Sequence, residues 1–353
     1  MSDAGGSDGS APHAVVLVGG QGTRLRPLTD TRPKPMVPLV DRPFVEHQID
    51  HLARHGVRRI VFSCGYRPSA LRDHFGDGAR FGVHIDYVVD PVPLGTAGAV
   101  GNAAPLLGDG PTLVLNGDIL TDLDLRAMLA RHAESGAEGT VALTPVENPS
   151  AFGLVRLHED DRVEAFVEKP SPEELRPGEP FRINAGTYVL ERSVIDSIPE
   201  GVECSIERET FPQVTARGGL FGFPSDAYWL DIGTPAAYLQ ANRDVLAGRV
   251  HTAAPVGERY LGPGTEVAPT AVIGEGCCLG AGCRVGEGAR ITASVVGEGV
   301  EIGAGAEIKD SVLGDSVSVG ESAVIAPGSV IGDGASVPGG ARHEGALASA
   351  VAG

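Results

Sequence analysis

Apolar residues fall into two regimes along this chain, each with its own period. From residue 14 to about 245, short apolar runs alternate with segments whose apolar positions return every three or four residues. The run at 14–18 has no polar face and reads as a strand buried on both sides. Val45, Ile49 and Leu52 then share one helical face, with Asp41 placed to cap the helix, Pro43 suited to its first turn and Gly56 ending it. Strands follow at 59–63, 84–89, 112–116 and 140–144, and helices at 68–75, 95–107 and 124–135. Such alternation predicts an α/β domain with a mixed, mainly parallel sheet. Between 150 and 230 the strands shorten and turns multiply, which predicts an inserted sheet closing over a site. A last helix spans 235–246, where Tyr238, Ala241 and Val245 share a face.

The C-terminal part changes period. Leu261, Val267, Ile273, Leu279, Val285 and Ile291 recur every six residues. After a step of five come Val296, Ile302 and Ile308, and after another step of five Leu313, Val319, Ile325, Ile331 and Val337. This is the hexapeptide pattern of a left-handed parallel β-helix, with the aliphatic residue pointing inward and small residues turning the corners. Three hexads make a coil, so about four to five coils are expected, and the five-residue steps mark corner adjustments. The division predicted is a flexible tail at 1–12, a catalytic domain at 13–248, a linker at 249–260, the β-helix at 261–340 and a loose tail at 341–353.

Composition narrows the function. The 353 residues favour two domains, and a net charge of −18 argues against a general nucleic-acid or membrane-surface binder. Any phosphate site must therefore be a local basic island. The five cysteines are odd in number and form no C-x-x-C pair, so neither a disulfide framework nor a zinc site is expected. No 18-residue apolar run occurs, and residues 1–12 lack an apolar stretch, so the chain reads as cytoplasmic.

The strand at 14–18 ends in Gly19-Gly20-Gln21-Gly22-Thr23-Arg24-Leu25, with Pro33-Lys34-Pro35 downstream. Glycines let backbone N–H groups approach a polyphosphate, and Arg24 and Lys34 add the charge that amide dipoles lack. The turn is neither a Walker A loop nor G-x-G-x-x-G. Asp118 follows the strand at 112–116, where ligands bind in open α/β sheets, and suits Mg²⁺, which takes few protein oxygens plus phosphate oxygens. Asp231, in Trp229-Leu230-Asp231-Ile232-Gly233-Thr234-Pro235, supplies a second carboxylate or caps the helix that opens at Pro235. Glu168 and Lys169, before Pro170, suit sugar hydroxyls and a sugar phosphate. Asn184 offers donor and acceptor, Gly186 leaves room for a ring, and Gly153 offers an N–H. Gly95 and Thr96 open a helix whose N–H groups could read a base edge.

The pattern G-G-x-G-T-R-L-x-P-L-T with K-P downstream resembles the signature of sugar-nucleotide pyrophosphorylases. L-G-T-A-G-A at 94–99, N-G-D at 116–118, F-V-E-K-P at 166–170, N-A-G at 184–186, S-I-E-R-E-x-F-P at 205–212 and W-x-D-I-G-T-P at 229–235 follow in that family's order. The resemblance implies a Rossmann-like nucleotidyltransferase domain followed by a left-handed β-helix. It also implies Mg²⁺-dependent transfer of a nucleotidyl group from a nucleoside triphosphate to a sugar 1-phosphate. Val18 before Gly19-Gly20, and the S-I-E-R-E segment, are most similar to the branch that uses GTP and mannose 1-phosphate. Carried onto this chain, Asp118 and Asp231 hold the metal, while Arg24, Lys34 and Lys169 meet phosphates. Leu17, Gly19, Gly20, Gln21, Gly22, Thr23, Gly65, Gly95, Thr96 and Asp118 line the nucleotide. Gly153, Glu168, Asn184 and Gly186 line the sugar phosphate.

Other readings differ in what they require. A thymidylyl-, uridylyl- or adenylyltransferase, or a cyclitol-phosphate enzyme, would use the same phosphate anchors. A non-catalytic sugar-nucleotide sensor would have lost cations or carboxylates that this chain keeps. A glycosyltransferase could use Asp122-Leu123-Asp124 but leaves Arg24 and Lys34 without a purpose. An acyltransferase wants a histidine in the coils, and none lies between Thr252 and Arg342. The β-helix then serves assembly, so a homo-oligomer is expected.

Overall fold

The computed structural model describes residues 12–350 apart from 66–67, 91, 151–152, 169 and 176–180. Residues 1–11 of the expected tail and Lys169 lie outside the described residues, as does the side chain of Glu168. The order of elements is β1 (His13–Leu17), β2 (Pro38–Leu39), β3 (Arg42–Pro43), α1 (Phe44–Arg54), β4 (Arg59–Cys64), α2 (Pro68–Phe75), β5 (His84–Val89), α3 (Gly95–Ala103), β6 (Thr112–Asn116) and β7 (Ile119–Thr121). There follow α4 (Leu125–Ser135), β8 (Gly139–Pro145), β9 (Gly153–Leu157), β10 (Val163–Glu168), β11 (Arg182–Leu190), α5 (Arg192–Asp196), α6 (Phe211–Ala216), β12 (Leu220–Pro224), β13 (Trp229–Asp231) and α7 (Pro235–Leu246). Sixteen short strands beyond α7 build the coils.

Two compact units emerge. The first takes the chain up to Gly19, His51–Ile119 and Leu123–Trp229; the second takes Gly20–Asp50, Leu120–Asp122 and everything from Leu230. Neither unit is one consecutive stretch of chain. The reason lies in hydrogen bonds inside the second unit: Val40 N–H donates to Asn242 Oδ1 at 2.9 Å, and the Tyr238 hydroxyl donates to the Pro38 carbonyl. The glycine-rich segment thus groups with α7 and the coils.

In the first unit, β6, β1, β4 and β5 run parallel in that order. Among the described residues of 150–224, the strands form no separate inserted sheet. Instead β11 adds antiparallel to β6 and carries β8 and β9 on its other side, with β10 beyond β9 and β12 beside β8. Nine residues of β11, most of them buried, are enough to pair with three neighbours. The core packs Val15, Val61 and Val114 of the parallel strands with Tyr188 and Phe211. Helix α1 starts two residues later than a cap at Asp41 requires. Arg42 and Pro43 pair back onto Leu39 and Pro38, with Val40 at φ 61° in the turn between, so Pro43 belongs to this hairpin.

In the second unit the coils form three parallel sheets of six, five and five strands. The aliphatic row from Ile273 to Val337 is buried, as the six-residue period requires. Each five-residue step coincides with a left-handed residue at the corner, Ala293 at φ 49° and Asp310 at φ 44°. The coils do not stop at 340: Arg342–His343 and Ala346–Leu347 pair with Val324–Ile325 and Val330–Ile331. The aliphatic spacing fades there, but the backbone ladder continues through Leu347, and residues 351–353 lie outside the described residues. The linker is shorter too, because the first coil strand begins at Arg259. All five cysteines are free and buried. No helix among the described residues is long and apolar enough to cross a membrane.

Candidate active site

Parallel strands present their carboxyl ends on one edge, and in the first unit that edge is made of glycine. Gly19, Gly65 and Gly117 each follow a strand: β1, β4 and β6. A Cβ on Gly65 would stand 2.9 Å from the Gly19 carbonyl oxygen, and one on Gly117 would stand 2.4 Å from the Leu17 oxygen. Backbone meets backbone here, tied by Val18 N–H to Ser63 O and Gly117 N–H to Leu17 O, both at 2.9 Å. Leu17, Gly19, Gly65 and Asp118 are therefore brought together on one edge. Gly117, which the sequence reading passed over, is what lets the strands close up.

The start of α3 packs against the Cys204 backbone. Gly95, at φ 67°, lies so close to the Cys204 carbonyl that a Cβ would stand 2.6 Å from it. The same carbonyl accepts from Ala97 N–H at 2.9 Å and Gly98 N–H at 3.2 Å. The Ala97 and Gly98 amides are thus committed to the chain itself. The Thr96 hydroxyl accepts from Ile206 N–H at 2.8 Å and donates to Glu207 Oε2 at 3.0 Å.

Glu207 gathers this side of the site. Its Oε2 also accepts from the Ser205 hydroxyl at 2.8 Å, and its Oε1 accepts from the Tyr188 hydroxyl at 3.1 Å. Asn184 Nδ2 donates to the Tyr188 oxygen at 3.0 Å, while Asn184 Oδ1 accepts from Gly186 N–H at 2.9 Å. Burial, followed by the Glu207 charge, pushes the Tyr188 phenol well above its ordinary pKa, so it stays a neutral donor. Between Asn184 and Tyr188 the register of β11 shifts, and Gly186 at φ 70° takes the left-handed position of the bulge. A Cβ there would stand 2.7 Å from Asn116 Nδ2. The Trp229 indole N–H donates to the Ala185 carbonyl at 2.9 Å, fixing the bulge from its other side. Gly153 pairs with Glu168 across β9 and β10, which places both backbones at one end of the sheet extension. Tyr188 and Glu207 were not singled out from sequence; only the S-I-E segment and the spacing N-A-G-T-Y signal them.

In the second unit the glycine-rich segment is a compact loop. Gly22, at φ 63°, offers its carbonyl to Leu25 N–H at 2.9 Å and to the Thr29 hydroxyl at 2.8 Å. A Cβ on Gly22 would stand 2.9 Å from Thr29 and 3.0 Å from the Lys34 Cβ. Leu25 and Leu28 are buried beneath the loop, while Gly20, Gln21, Thr23 and Arg24 are exposed on it. Lys34 is only 7 % exposed, so its stem is held by the loop and its ammonium has little freedom.

Asp231 does not cap α7. The Thr234 side chain does so, accepting from Ala237 N–H. Asp231 Oδ1 instead accepts from Gly233 N–H at 2.7 Å. A Cβ on Gly233 would stand 2.6 Å from Arg24 Nη2 and 2.8 Å from Asp231 Oδ1. Arg24 and Asp231 thus converge on a position that only glycine leaves open. No group of three or more His, Cys, Asp or Glu side chains among the described residues could hold a metal. Mg²⁺ uses lone carboxylates that share it with phosphate oxygens, and Asp231 in the second unit, like Asp118 in the first, is a carboxylate of that chemistry.

Residues 13–248 match the nucleotidyl transferase family, and residues 256–346 match the GMPPB C-terminal domain. The mannose-1-phosphate guanylyltransferase of Mycobacterium tuberculosis is 42% identical over 265 residues, 74% of this chain and 72% of that protein. A probable mannose-1-phosphate guanylyltransferase 1 of Oryza sativa is 39% identical, over 75% of this chain and 73% of that protein. Among solved structures, HddC from Yersinia pseudotuberculosis is similar with a TM-score of 0.58 and 29% identity, covering 66% of this chain and 99% of that one. The same protein complexed with GMP-PN gives a TM-score of 0.57. Transferase domain and C-terminal domain together place this protein: the chain belongs to the nucleotidyl transferase family.

Proposed function

We propose that this enzyme makes GDP-mannose from GTP and mannose 1-phosphate, releasing pyrophosphate. The observation that carries the reading is the convergence of Arg24 and Asp231 on Gly233, beside a glycine-rich loop that holds Lys34. Relatives named mannose-1-phosphate guanylyltransferase support the choice of substrates.

The chemistry needs no general base. A sugar phosphate is largely dianionic at neutral pH, so its oxygen already carries the electron pair. That oxygen attacks the α-phosphorus of GTP, a P–O bond forms, the α–β bridge breaks, and pyrophosphate leaves with the bridging oxygen. The barrier is the approach of two anions, so catalysis consists of in-line positioning and charge neutralisation. Arg24 neutralises the departing pyrophosphate, Lys34 meets the α-phosphate, and Lys169 holds the sugar phosphate. Asp118 and Asp231 would hold Mg²⁺, which supplies charge screening on the triphosphate when bound. Gly19, Gly20, Gln21, Gly22, Thr23, Gly65, Gly95 and Thr96, together with Leu17, line the nucleotide. Gly153, Glu168, Asn184 and Gly186 line the sugar. The repeated outer faces of the coils suit self-association, and a cytoplasmic homo-oligomer completes the proposal.

The test is pyrophosphate release with Mg²⁺, crossing GTP, dTTP, UTP, ATP and CTP against mannose 1-phosphate and glucose 1-phosphate. Preference for GTP with mannose 1-phosphate is expected. Preference for another pair overturns the specificity and leaves the mechanism. Binding of nucleotide sugar without turnover of any pair overturns the enzyme reading in favour of a sensor.

A further inference from the structure

The loop that ends in Lys34 is gripped by the coils. Arg32 Nη2 lies 2.5 Å from Asp315 Oδ2 and 3.0 Å from Asp333 Oδ2, and the Thr31 hydroxyl donates to Asp333 as well. Asp333 is 7 % exposed. Burial pulls the Arg32 guanidinium down, but the charges and hydrogen bonds of Asp315 and Asp333 together hold its pKa above the ordinary value. The cluster is partly buried: the Asp333 side chain is 10% exposed, while those of Arg32 and Asp315 are 22% and 30% exposed, so Asp333 is the partner whose loss leaves the most buried charge uncompensated.

Both carboxylates are themselves fixed by the repeat. Asp315 and Asp333 sit at equivalent corners, one coil apart. Asp333 Oδ1 accepts from Asp315 N–H at 2.8 Å, and Asp315 Oδ1 accepts from Glu298 N–H at 2.9 Å. Each carboxylate therefore spends one oxygen on the neighbouring coil and turns the other toward Arg32. The corners admit this only because Gly297 and Gly314 lack a Cβ, which would stand 2.4 Å and 2.2 Å from these same Oδ1 atoms. A further corner, at Ser349, touches the Pro27 carbonyl at 3.4 Å.

Arg32 and Lys34 are separated by Pro33 alone, and Pro33 at φ −67° and ψ 148° leads directly into the turn Lys34–Met36. A proline transmits position because its φ is locked. Lys34 Cβ in turn crowds Gly22, whose carbonyl Thr29 holds. Anchoring Arg32 thus fixes the placement of Lys34 and of the glycine turn in one stroke.

We propose that Arg32, Asp315 and Asp333 are positioning residues for triphosphate binding, so that the last coils set the geometry of the nucleotide loop. The proposal rests on the reading of Lys34 and the glycine loop as the nucleotide site. It assigns the coils a role in the reaction beyond assembly.

The test measures GTP binding directly, by equilibrium dialysis on the full chain, so that it does not depend on turnover. Steady-state KM and kcat are read beside it. Asp333→Asn keeps an oxygen for the Asp315 N–H but loses the charge that holds Arg32, and Arg32→Lys keeps the charge but loses the fork. Val319→Ala, in the coil that carries Asp315 and with its side chain buried in the coil core, is the control for plain loosening of the repeat. Expected are GTP binding at least tenfold weaker in Asp333→Asn, a smaller loss in Arg32→Lys, an unchanged KM for the sugar phosphate, and unchanged GTP binding in Val319→Ala. The proposal is overturned if Asp333→Asn and Arg32→Lys both bind GTP within twofold of the parent, or if Val319→Ala weakens it equally. A parent protein that binds no triphosphate overturns the nucleotide-site reading and this one with it. Normal parental binding with unaffected variants overturns only this one.

Discussion

Gly233 lies against the Arg24 guanidinium, 2.6 Å from Nη2 to the point where a Cβ would begin. The neighbouring atoms are the ends of two side chains, Arg24 and Asp231, rather than backbone. A methyl group there is accommodated by pushing those ends away, and no left-handed φ is involved. Gly233→Ala should therefore spare the fold and damage the chemistry. Misplacing one preorganised charge costs about a hundredfold in kcat. The check is kcat alongside a melting curve. A normal kcat would show that these two ends do not meet substrate as proposed, and a collapse of the melting temperature would show that they cannot yield to a methyl group.

Tyr188 and Glu207 make the matching statement for the sugar side. Tyr188→Phe removes a hydroxyl that joins Asn184 to Glu207. Leaving buried polar atoms without that partner costs about 1–3 kcal/mol. For a domain of about 150–250 residues about 1 kcal/mol lowers the melting temperature by about 2–4 °C. The expected outcome is that loss of stability with an approximately fivefold to tenfold rise in KM for mannose 1-phosphate, and a KM for GTP that does not move. Equal effects on both substrates would detach the Tyr188–Glu207 cluster from the sugar.

Much of this arrangement was written locally in the chain. Helices and strands between 13 and 145 follow from runs and periods, and the coil positions from a six-residue repeat, because each depends on near neighbours. Arg24 and Asp231, which converge on Gly233, and Lys34, held by the glycine loop, stood out in the chain because a motif joins each to glycine turns. What stayed hidden depends on distant partners. Nothing near Arg32 reveals Asp315 and Asp333, some 300 residues away. Nothing near Gly95 reveals that the Cys204 carbonyl takes the first amides of α3. The pairing of β11 with β6 is likewise invisible in the short, turn-rich text of residues 150–230, since strand order is a tertiary choice.

His51 gives the fold a calculable acid limit. Burial, with repulsion from His55 and Arg54, pulls its imidazole down to about 3, against weaker opposing effects of the Leu123 backbone and Asp124. The unfolded chain takes up this proton near pH 6.5, the ordinary value. Between those values the unfolded state binds more protons, so this contribution is present above about pH 6.5 and is lost as pH falls toward 3. At pH 5 the loss from this one group is about 2 kcal/mol. His51→Leu should therefore show a shallower fall in melting temperature between pH 7.5 and pH 5 than the parent chain. Parallel curves would mean that other groups, such as His132, whose pKa burial also lowers, dominate the acid sensitivity.

The two five-residue steps of the coils offer a paired test of strain against contact. Ala293 and Asp310 occupy equivalent corners, both at positive φ, and Arg243 Nη2 binds both, the Ala293 carbonyl at 2.9 Å and the Asp310 carboxylate at 2.5 Å. A left-handed conformation costs an L-residue about 1–2 kcal/mol, and glycine escapes that cost while losing about 0.5–1 kcal/mol of chain entropy. Ala293→Gly keeps its carbonyl and so should gain a few tenths to about 1 kcal/mol, read as a slightly higher melting temperature. Asp310→Gly relieves the same strain but removes the carboxylate that holds Arg243 and should lower it. A drop in both would mean that the corner is not strained. A gain in both would mean that the Arg243–Asp310 pair adds nothing to the anchoring of α7 on the coils.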